Sequence, residues 1–553
     1  MLERIVLVAV LLFYFKFAHI SCFVNNINQL KAVKLTVESE SDQKCQNELN
    51  EFINALDSRD EWAVTMFDTW AKIPSGLLQN NFQNIGHFTA CVKFRKNLKD
   101  FDTLQGQHCM ISFNAKTDSN VSAGDNLFDW NEVGDLFRKH QLSMNHGICL
   151  PASCSVKKVA EFSNQILSHA DMVVINTTCK TNDSLSLTVV DIVAIIIFSI
   201  FGLLLIASTL YDIRQRSQKK EPHELFIAFS MYTNGERLFD MTESKSRHSI
   251  DCLNGLRAVS LLWIIVGHRT FNQLAVSYMN GKDFGQFMAT IPSVFLAIFH
   301  IWVDTFFVMG GLLVTISFLN ALDKKTVNIG RMYLHRYLRY TPVLAALILF
   351  TVSLMKFMAF GPLFDFEKNE PHCRTYWYWA LLHVQNYAVA NEQCLDFSWY
   401  LSVDFQMYII SPLLIYPIWK WGWKKCFWIF PFLIFLNQWC VFATVLKYEL
   451  TPMVWDNNGS GGIIRWFLSL KQWKPIGRMG LSIYLTHRIY EMISILPQKQ
   501  TLHFDFITVM HMFWGEVLIT LAIASFLYLT FEAPFLLVES YIYERFFKKN
   551  STS

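Results

Sequence analysis

The chain has 553 residues, of which 52% are hydrophobic, 15% are aromatic and only 17% are charged. Together with a positive mean hydropathy, this composition fits a polytopic membrane protein better than a soluble enzyme. A formal net charge of +3 is too small to indicate nucleic acid or an acidic partner.

The first 21 residues predict a secretory signal peptide. The charged residues Glu3 and Arg4 precede an apolar run from 5 to 15, and the small residue Ser21 stands at the expected cleavage point. Lys16 ends the apolar run before it reaches the length of a membrane span. The segment that follows, residues 22–184, is therefore predicted to be exported.

The exported segment has the pattern of a cysteine-rich, mainly helical domain. Residues 51–56 and 159–170 have helical spacing. Trp62 and Trp70 fall on another predicted helix, where they suit either a domain core or an exposed surface that captures a lipophilic molecule.

Six cysteines in this segment predict three disulfides, because an exported domain folds in an oxidising compartment. They are Cys45, Cys91, Cys109, Cys149, Cys154 and Cys179. Six cysteines allow 15 connectivities, and the sequence does not choose among them. No pair has the C-x-x-C spacing of a metal site, so no metal is expected.

N-glycosylation sequons add to the evidence for export. Asn120, Asn176 and Asn182 begin such sequons within the exported segment, and Asn458 begins another near the C-terminal end of the chain. All four are predicted glycosylation sites.

Eight apolar segments are predicted to cross the membrane. They are residues 187–210, 253–271, 299–319, 340–360, 398–419, 427–446, 479–496 and 513–531. Basic residues after the first span predict a cytosolic linker over 211–252, because positive charge stays inside. A membrane domain over 253–540 and a basic tail over 541–553 complete the predicted domains, after a first transmembrane helix at 185–210.

Residues 361–395 are predicted to form an outer loop in which Cys373 pairs with Cys394. The apolar stretch 375–389 inside this loop is short, so we expect it to lie at the interface. Towards the C-terminus, the number of spans and the positions of the basic residues predict opposite sides of the membrane. The span count puts residues 449–475 and the C-terminus outside, whereas basic residues at 471–478 and in the tail favour the cytosol.

Arg257 and His268 share one face of the second predicted span. They are eleven residues apart, which corresponds to nearly the same helical direction and a separation of about 16 Å. Ionisable groups inside a membrane are costly, so this face predicts a polar pocket between helices. The alternative is an arginine that snorkels to the interface and a histidine that bonds a neighbouring carbonyl.

Several longer phrases resemble the nose resistant to fluoxetine proteins, which join a cysteine-rich exported domain to a membrane domain of the acyltransferase-3 class. The exported half carries WAVTMFDTWAKIPSGLLQNN, GHFTACV and GICLPASCS, and the membrane half carries DCLNGLRAVSLLWIIVGH, DTFFVMGGLLV, YLHRYLRYTP, SWYLSVDFQMYIISPLL, GRMGLSIYLTH and FEAPF. These phrases cover nearly the whole mature chain in family order.

The resemblance implies acyl transfer with acyl-CoA as the co-substrate. In that reaction His268 would serve as general base, with Asp404 or Asp304 as its carboxylate companion. Arg257, Arg336 and Arg339 would bind the phosphates of the donor at the cytosolic side, although positive-inside flanking explains the last two residues equally well. His487 is a weaker candidate for the same chemistry.

The chain departs from the family pattern in two places. Gly310-Gly311 stands where the family has Ser-Gly, so the corresponding hydroxyl is absent. The family's acyltransferase half has about ten helices, whereas seven spans are predicted here after the first, with the deficit of about three between 446 and 479.

The sequence therefore predicts an all-α, polytopic helical membrane protein of the secretory route, in contact with membrane lipids. Two alternatives to an acyltransferase remain open. One is a carrier or receptor for lipophilic small molecules, and the other is an inactive, shortened regulator.

Overall fold

The computed structural model describes most of the exported and membrane segments. The described residues are 30–72, 79, 81–97, 103–115, 144–168, 172–182, 186–242, 252–272, 278–290, 293, 296, 299–364, 372–389, 392–428, 431–432, 435, 439 and 472–545. The predicted signal peptide, the sequons at Asn120 and Asn458 and most of the predicted span 427–446 lie outside these residues.

Among its described residues, the exported domain has four helices and also a sheet, which the sequence patterns did not predict. The helices are α1 (Glu40–Asp57), α2 (Glu61–Asp68), α3 (Phe88–Lys93) and α4 (Val156–Ser168), and the strands are β1 (Gln83–Asn84), β2 (Arg95–Lys96), β3 (Leu104–Ala115), β4 (Met144–Pro151) and β5 (Met172–Lys180). Helices α1 and α4 confirm the two helical patterns noted above.

Strand β3 is the centre of the sheet. It pairs antiparallel with β4 along one edge and antiparallel with β2 and β5 along the other, and β1 pairs parallel with β4. The sheet escaped prediction because its hydrogen bonds join strands that are far apart in sequence, and such pairings leave little local signal.

Three disulfides close the exported domain. They join Cys45 to Cys154, Cys91 to Cys149 and Cys109 to Cys179. The last pair joins directly opposed residues of β3 and β5, and the other two tie α1 and α3 to the end of β4 and the turn that follows it. The predicted disulfide-bonded character of the domain is thereby confirmed, and the structure supplies the connectivity that the sequence left open.

Trp70 belongs to the core of the exported domain. Its side chain is buried and its indole N–H donates to the Cys149 carbonyl at 2.7 Å. Trp62 is half-buried against the same core, 6.2 Å from Phe52 between ring centroids. Of the two interpretations of these tryptophans, the structure supports the domain core.

The other described helices build the membrane domain and its linker. They are α5 (Val189–Ser217), α6 (Met231–Phe239), α7 (Cys252–Asn272), α8 (Gly281–Met288), α9 (Phe299–Asp323), α10 (Ile329–Ser353), α11 (Cys373–Leu381), α12 (Trp399–Trp421), α13 (Gly480–Ile495), α14 (Phe506–Leu527) and α15 (Ala533–Tyr543), with short helices at Met355–Met358, Gln385–Ala388, Asp396–Ser398, Trp423–Cys426 and Trp473–Arg478. A π-helical turn, Tyr528–Glu532, joins α14 to α15 in one continuous rod.

Four of the described helices are long and apolar enough to cross a membrane by length and composition. They are Val189–Ser217, Ile301–Asp323, Asp396–Trp421 and Phe506–Tyr543. Helices α7, α10 and α13 coincide with three further predicted spans, but α7 carries two arginines, α10 carries three and α13 has only 16 residues. The prediction of a largely helical membrane protein is confirmed.

Contacts at the two ends of the bundle show which ends face the same side. The exported domain meets the loops after α10 and α13: Phe88 lies 5.2 Å from Phe360 between ring centroids, and Lys499 lies 5.9 Å above the Phe88 ring. At the opposite end, the linker carbonyl of Arg237 accepts a hydrogen bond from Arg478, and His223 contacts Tyr541. Helix α13 therefore runs from the linker side to the exported side, and α14 and α15 run back.

This arrangement resolves the conflict between charge and span count in favour of charge. Residues 472–478 and the end of α15 lie on the linker side of the bundle. The basic residues predicted this side, and the span count predicted the opposite one. Helix α12 also ends there, with Trp419 bonded to Asp323 at the end of α9.

The outer loop matches its prediction. Cys373 and Cys394 form a disulfide, and the apolar stretch between them folds as two short helices of nine and four residues, too short to cross. A buried ion pair of 2.6 Å between Lys356 and Asp191 ties the outer end of α10 to the start of α5.

Candidate functional site

A cavity of about 250 Å³ lies inside the membrane domain, between α7, α9, α10, α12 and α13. The three arginines that the sequence analysis selected, Arg257, Arg336 and Arg339, all line it, together with Asp404. Residues that are up to 147 positions apart in sequence therefore share one wall. The other lining residues are Val303, Phe306, Met309, Gly310, Leu313, Val314, Ser317, Met332, Tyr340, Tyr400, Tyr408, Gly477, Gly480, Leu481 and Tyr484.

Arg336 is fixed in place by a carboxylate and two aromatic rings. Its Nη2 donates to Asp404 Oδ2 at 2.6 Å, and the Tyr340 hydroxyl donates to the same oxygen at 2.6 Å. The guanidinium also lies 4.8 Å from the Tyr340 ring and 4.9 Å from the Tyr408 ring. Such packing restricts the guanidinium to one orientation, which favours recognition of a planar or tetrahedral anion.

Arg339 faces a second buried carboxylate. Its Nε lies 3.5 Å from Oε1 of Glu532, whose other oxygen accepts a hydrogen bond from Ser482 at 3.0 Å. Glu532 belongs to the π-helical turn between α14 and α15. Single π-turns inside helices are frequent at functional sites, and this one places Glu532 beside Arg339.

Arg257 is a positive charge without a carboxylate partner among the described residues. No salt bridge to Arg257 occurs among those residues, and its closest charged neighbours include Arg339 and Arg336. The lining therefore carries three arginines against one aspartate. Even with Glu532 counted, an excess positive charge remains, and an excess charge that lines a cavity favours an anionic ligand.

The wall formed by α9 is apolar and long. Its lining residues extend from Val303 to Ser317, which corresponds to about 21 Å along the helix axis. Between them lie Phe306, Met309 and Leu313. The cavity thus has a cationic wall on one side and an apolar groove on the other. The length of the groove is about two-thirds of the thickness of the hydrocarbon core of a bilayer.

Gly310 is the point where the α9 wall approaches Asp404. A Cβ at this position would lie 3.5 Å from Asp404 Oδ1, which is ordinary contact distance. The hydroxyl that the family resemblance implies here would therefore face the Arg336 and Asp404 pair. Gly311, the next residue, would place a Cβ in open space.

His268 lies beyond the cavity on the same helix as Arg257 and contacts a second histidine. Its Nδ1 is 2.8 Å from His487 Nε2, and the two rings are nearly parallel, with centroids 5.1 Å apart. Phe299, the first residue of α9, packs edge-on against the His268 ring at 4.7 Å. Gly267 makes this packing possible, because a Cβ there would overlap the Phe299 side chain.

The structure separates the residues that were expected to act with His268. Asp404 is held by Arg336 and Tyr340, whereas His268 bonds His487, so the expected pairing of His268 with Asp404 is absent among the contacts of the described residues. Asp304 is exposed on α9 and is not a lining residue. The sequence pattern carried no information about the direction in which either aspartate side chain points.

Two groups of site residues were not selected from the sequence. Tyr340, Tyr400, Tyr408 and Tyr484 line the cavity, and Glu532 supports Arg339 from outside it. The only sequence signal for Glu532 was its place in the FEAPF phrase, and the tyrosines are indistinguishable from interfacial aromatics until their partners are known.

The predicted glycosylation sites are accessible where the structure describes them. Asn176 on β5 and Asn182 after it are exposed. In the part of the chain that the structure covers, no cluster of three or more histidine, cysteine or acidic side chains could hold a metal ion.

Comparison with known proteins identifies two domains. Residues 45–163 match the family model for the nose resistant-to-fluoxetine protein N-terminal domain, and residues 250–462 match the model for an acyltransferase domain. The chain is also 24% identical over 422 residues to nose resistant to fluoxetine protein 6 of Caenorhabditis elegans. That alignment covers 66% of this chain and 51% of the relative, so the chain spans about half of the relative's length.

None of the solved structures matches this chain. The two domain matches confirm the resemblance drawn from the sequence phrases: the stretch similar to the nose resistant-to-fluoxetine domain precedes the stretch similar to the acyltransferase domain.

Proposed function

We propose that this chain, which joins a nose resistant-to-fluoxetine domain to a membrane acyltransferase domain, transfers an acyl group from acyl-CoA to a hydroxyl or amine acceptor at the outer or lumenal side. The observation that carries the proposal is the cavity with an unbalanced cationic wall and an apolar groove opposite it. An acyl-CoA has the same two parts, because its phosphates are anionic and its acyl chain is apolar.

The cavity has one wall that suits the phosphates of acyl-CoA and another that suits its acyl chain. Arg257, Arg336 and Arg339 would bind the phosphates from the linker side, which is the cytosolic side by the distribution of basic residues. The groove along α9 would take apolar parts of the donor. Hydrogen bonds to charged groups contribute about 1.5–3 kcal/mol each, so loss of one arginine is expected to weaken donor binding about tenfold or more.

His268 would act as the general base. It removes the proton from the acceptor hydroxyl or amine while the acceptor oxygen or nitrogen attacks the thioester carbonyl carbon. The carbon–sulfur bond then breaks, and the same proton passes from His268 to the departing sulfur, which leaves as the CoA thiol. Arg257 and His268 are about 16 Å apart along α7, and the linker between the phosphates and the thioester must bridge that distance.

The test uses the purified full chain in lipid nanodiscs with acyl-CoA donors of different chain length. Binding is measured by equilibrium dialysis, and turnover by release of free CoA thiol in the presence of lipid or amine acceptors. Arg257→Ala is expected to raise the Kd for acyl-CoA at least tenfold, whereas His268→Ala is expected to keep binding and to lower turnover about 10²- to 10⁴-fold.

Arg331→Ala is the matched control for the arginine variants. Arg331 lies on α10, as Arg336 and Arg339 do, but it pairs with Glu539 and stacks on Tyr543 instead of lining the cavity. Folded protein that neither binds nor consumes acyl-CoA would refute the proposed function.

A carrier of lipophilic molecules is the second candidate, and the apolar groove along α9 supports it. The burial of Trp70 in the exported core removes one reason for assigning cargo capture to that domain. Uptake of a lipophilic tracer into proteoliposomes that is equal for wild type and His268→Ala, without any CoA release, would favour the carrier. Folded protein without binding, turnover or uptake would favour an inactive regulator.

A further inference from the structure

The hydrogen bonds around His268 and His487 determine which ring nitrogen of each histidine holds the proton. His487 is fully buried on α13, and its Nδ1 lies 3.3 Å from the backbone carbonyl oxygen of Ile483, one helical turn earlier. A carbonyl can only accept a hydrogen bond. The proton of neutral His487 therefore resides on Nδ1, and its Nε2 carries the lone pair.

The tautomer of His268 is fixed by its contact with His487. His487 Nε2 accepts, so His268 Nδ1 must donate across the 2.8 Å that separates them. A neutral imidazole has one N–H, which leaves the lone pair of His268 on Nε2. The basic nitrogen is thus the one on the far side of the ring from His487.

We propose that His487 is a positioning residue for acyl transfer: it holds His268 in the tautomer whose Nε2 is basic, and it stabilises the imidazolium that forms during the reaction. This inference rests on the proposed function. The acceptor's proton binds His268 Nε2 and later passes to the departing sulfur, while the Nδ1–H stays bonded to His487 throughout. In hydrolases with a Ser-His-Asp triad a carboxylate performs this task.

A neutral partner suits this location because it avoids the desolvation cost of another charge in the membrane domain. The carboxylate that the sequence analysis assigned to the task, Asp404, is already bonded to Arg336 and Tyr340. Helix α13 supplies the alternative, since Tyr484 lines the cavity and His487 lies one turn further along the same helix. The two histidines therefore lie next to the cavity, on its outer side.

Titratable groups also lie on the helices that carry the pair and on α14, which packs against them. On α13 they are Tyr484, 5.8 Å from His487 between ring centroids, and Arg488 and Glu491, which lie 3.5 Å apart. On α7 and α14 they are Arg269 and Glu516, also 3.5 Å apart. All of these groups are retained in the His487 variants, so a change in the pH profile is attributable to the loss of His487.

The experiment compares three variants of the full chain in nanodiscs. His487→Phe removes the acceptor at similar volume, His487→Gln retains an acceptor and a donor, and His511→Phe alters an exposed histidine on α14 as the matched control. Acyl-CoA binding, kcat, KM and the pH profile of kcat/KM are measured for each.

We expect His487→Phe to bind acyl-CoA within twofold of wild type and to lose at least 100-fold in kcat. His487→Gln should recover to within about tenfold of wild type with a displaced acidic limb of the pH profile, and His511→Phe should match wild type. Wild-type turnover and an unchanged pH profile in either His487 variant would overturn the inference. If His487→Phe does not fold, as judged by loss of donor binding, the Gln variant alone decides. Absence of turnover in wild type would overturn the proposed function and this inference with it.

Discussion

Arg336 and Asp404 are 68 residues apart in the chain, and their side chains meet at 2.6 Å inside the membrane domain. The carboxylate is 6% exposed and also accepts a hydrogen bond from Tyr340. This pair joins α10 to α12 and aligns the arginine that the cavity presents to a ligand. It therefore links the stability of the bundle to the geometry of the proposed donor site.

Removal of one member of this pair should destabilise the folded protein more than removal of both members. Asp404→Leu leaves Arg336 buried without its carboxylate and should lower the free energy of unfolding by about 3–5 kcal/mol. The double variant Asp404→Leu with Arg336→Met removes both charges and should recover most of that loss. Thermal unfolding in detergent measures both. A double variant that is less stable than Asp404→Leu would contradict the assignment of a buried ion pair.

Gly310 and Gly311 form a matched pair for a test of the cavity. Gly310 lines the cavity and Gly311 does not, although both lie on α9. Gly310→Leu should fill the space before Asp404 and weaken acyl-CoA binding at least tenfold, whereas Gly311→Leu should leave binding unchanged. Gly310→Ser should be accommodated, with unfolding free energy within about 0.5 kcal/mol of wild type. Equal binding by the two leucine variants would show that the cavity is not the donor site.

Gly267 should tolerate no side chain. A Cβ at this position would overlap Phe299, so Gly267→Ala is expected to destabilise the contact between α7 and α9 by about 1–3 kcal/mol. Phe299→Gly in the same chain removes both the ring and the Cβ that would overlap, so it should make the Gly267→Ala change less costly than it is alone. The control is Gly202→Ala on α5, where a Cβ meets nothing within 4 Å. Thermal unfolding of these variants supplies the double-mutant cycle, and additive losses would contradict the predicted overlap.

The exported domain should lose stability as the pH falls. Burial lowers the pKa of His108 from 6.5 to about 4, although its Nε2–H is bonded to the Ile85 carbonyl at 2.7 Å. The unfolded chain takes up this proton near pH 6.5 and the folded chain does not, so stability present above pH 6.5 is lost between 6.5 and 4. The loss amounts to about 3 kcal/mol for this group. His146, whose pKa burial also lowers to about 4, acts in the same direction.

Tryptophan fluorescence during unfolding of the full chain at pH 7.5 and 4.5 measures this effect. His108→Gln keeps a donor for Ile85 and cannot titrate, so its stability should fall less steeply across the same range. A pH dependence identical to that of wild type would show that His108 is not the titrating group.

The sequence by itself determined the class of the protein and the identity of the cationic residues. Hydropathy fixed the helical membrane segments because a bilayer requires long apolar helices. The spacing of Arg257 and His268 placed both on one helix face because helical periodicity is a local property. Cysteine content predicted disulfides, and the basic residues near 474 and 545 indicated the side of the C-terminal helices more reliably than the span count did.

Only the tertiary structure decided which of these residues meet. Disulfide connectivity, the sheet around β3, the engagement of Asp404 by Arg336 and the pairing of His268 with His487 all depend on contacts between segments far apart in the chain. Helical periodicity gives the direction of a side chain relative to its own axis, but not the rotation of that helix against its neighbours. That rotation is set by close packing, as at Gly267 against Phe299, and it turned Asp404 towards the arginines and left His487 beside the proposed base.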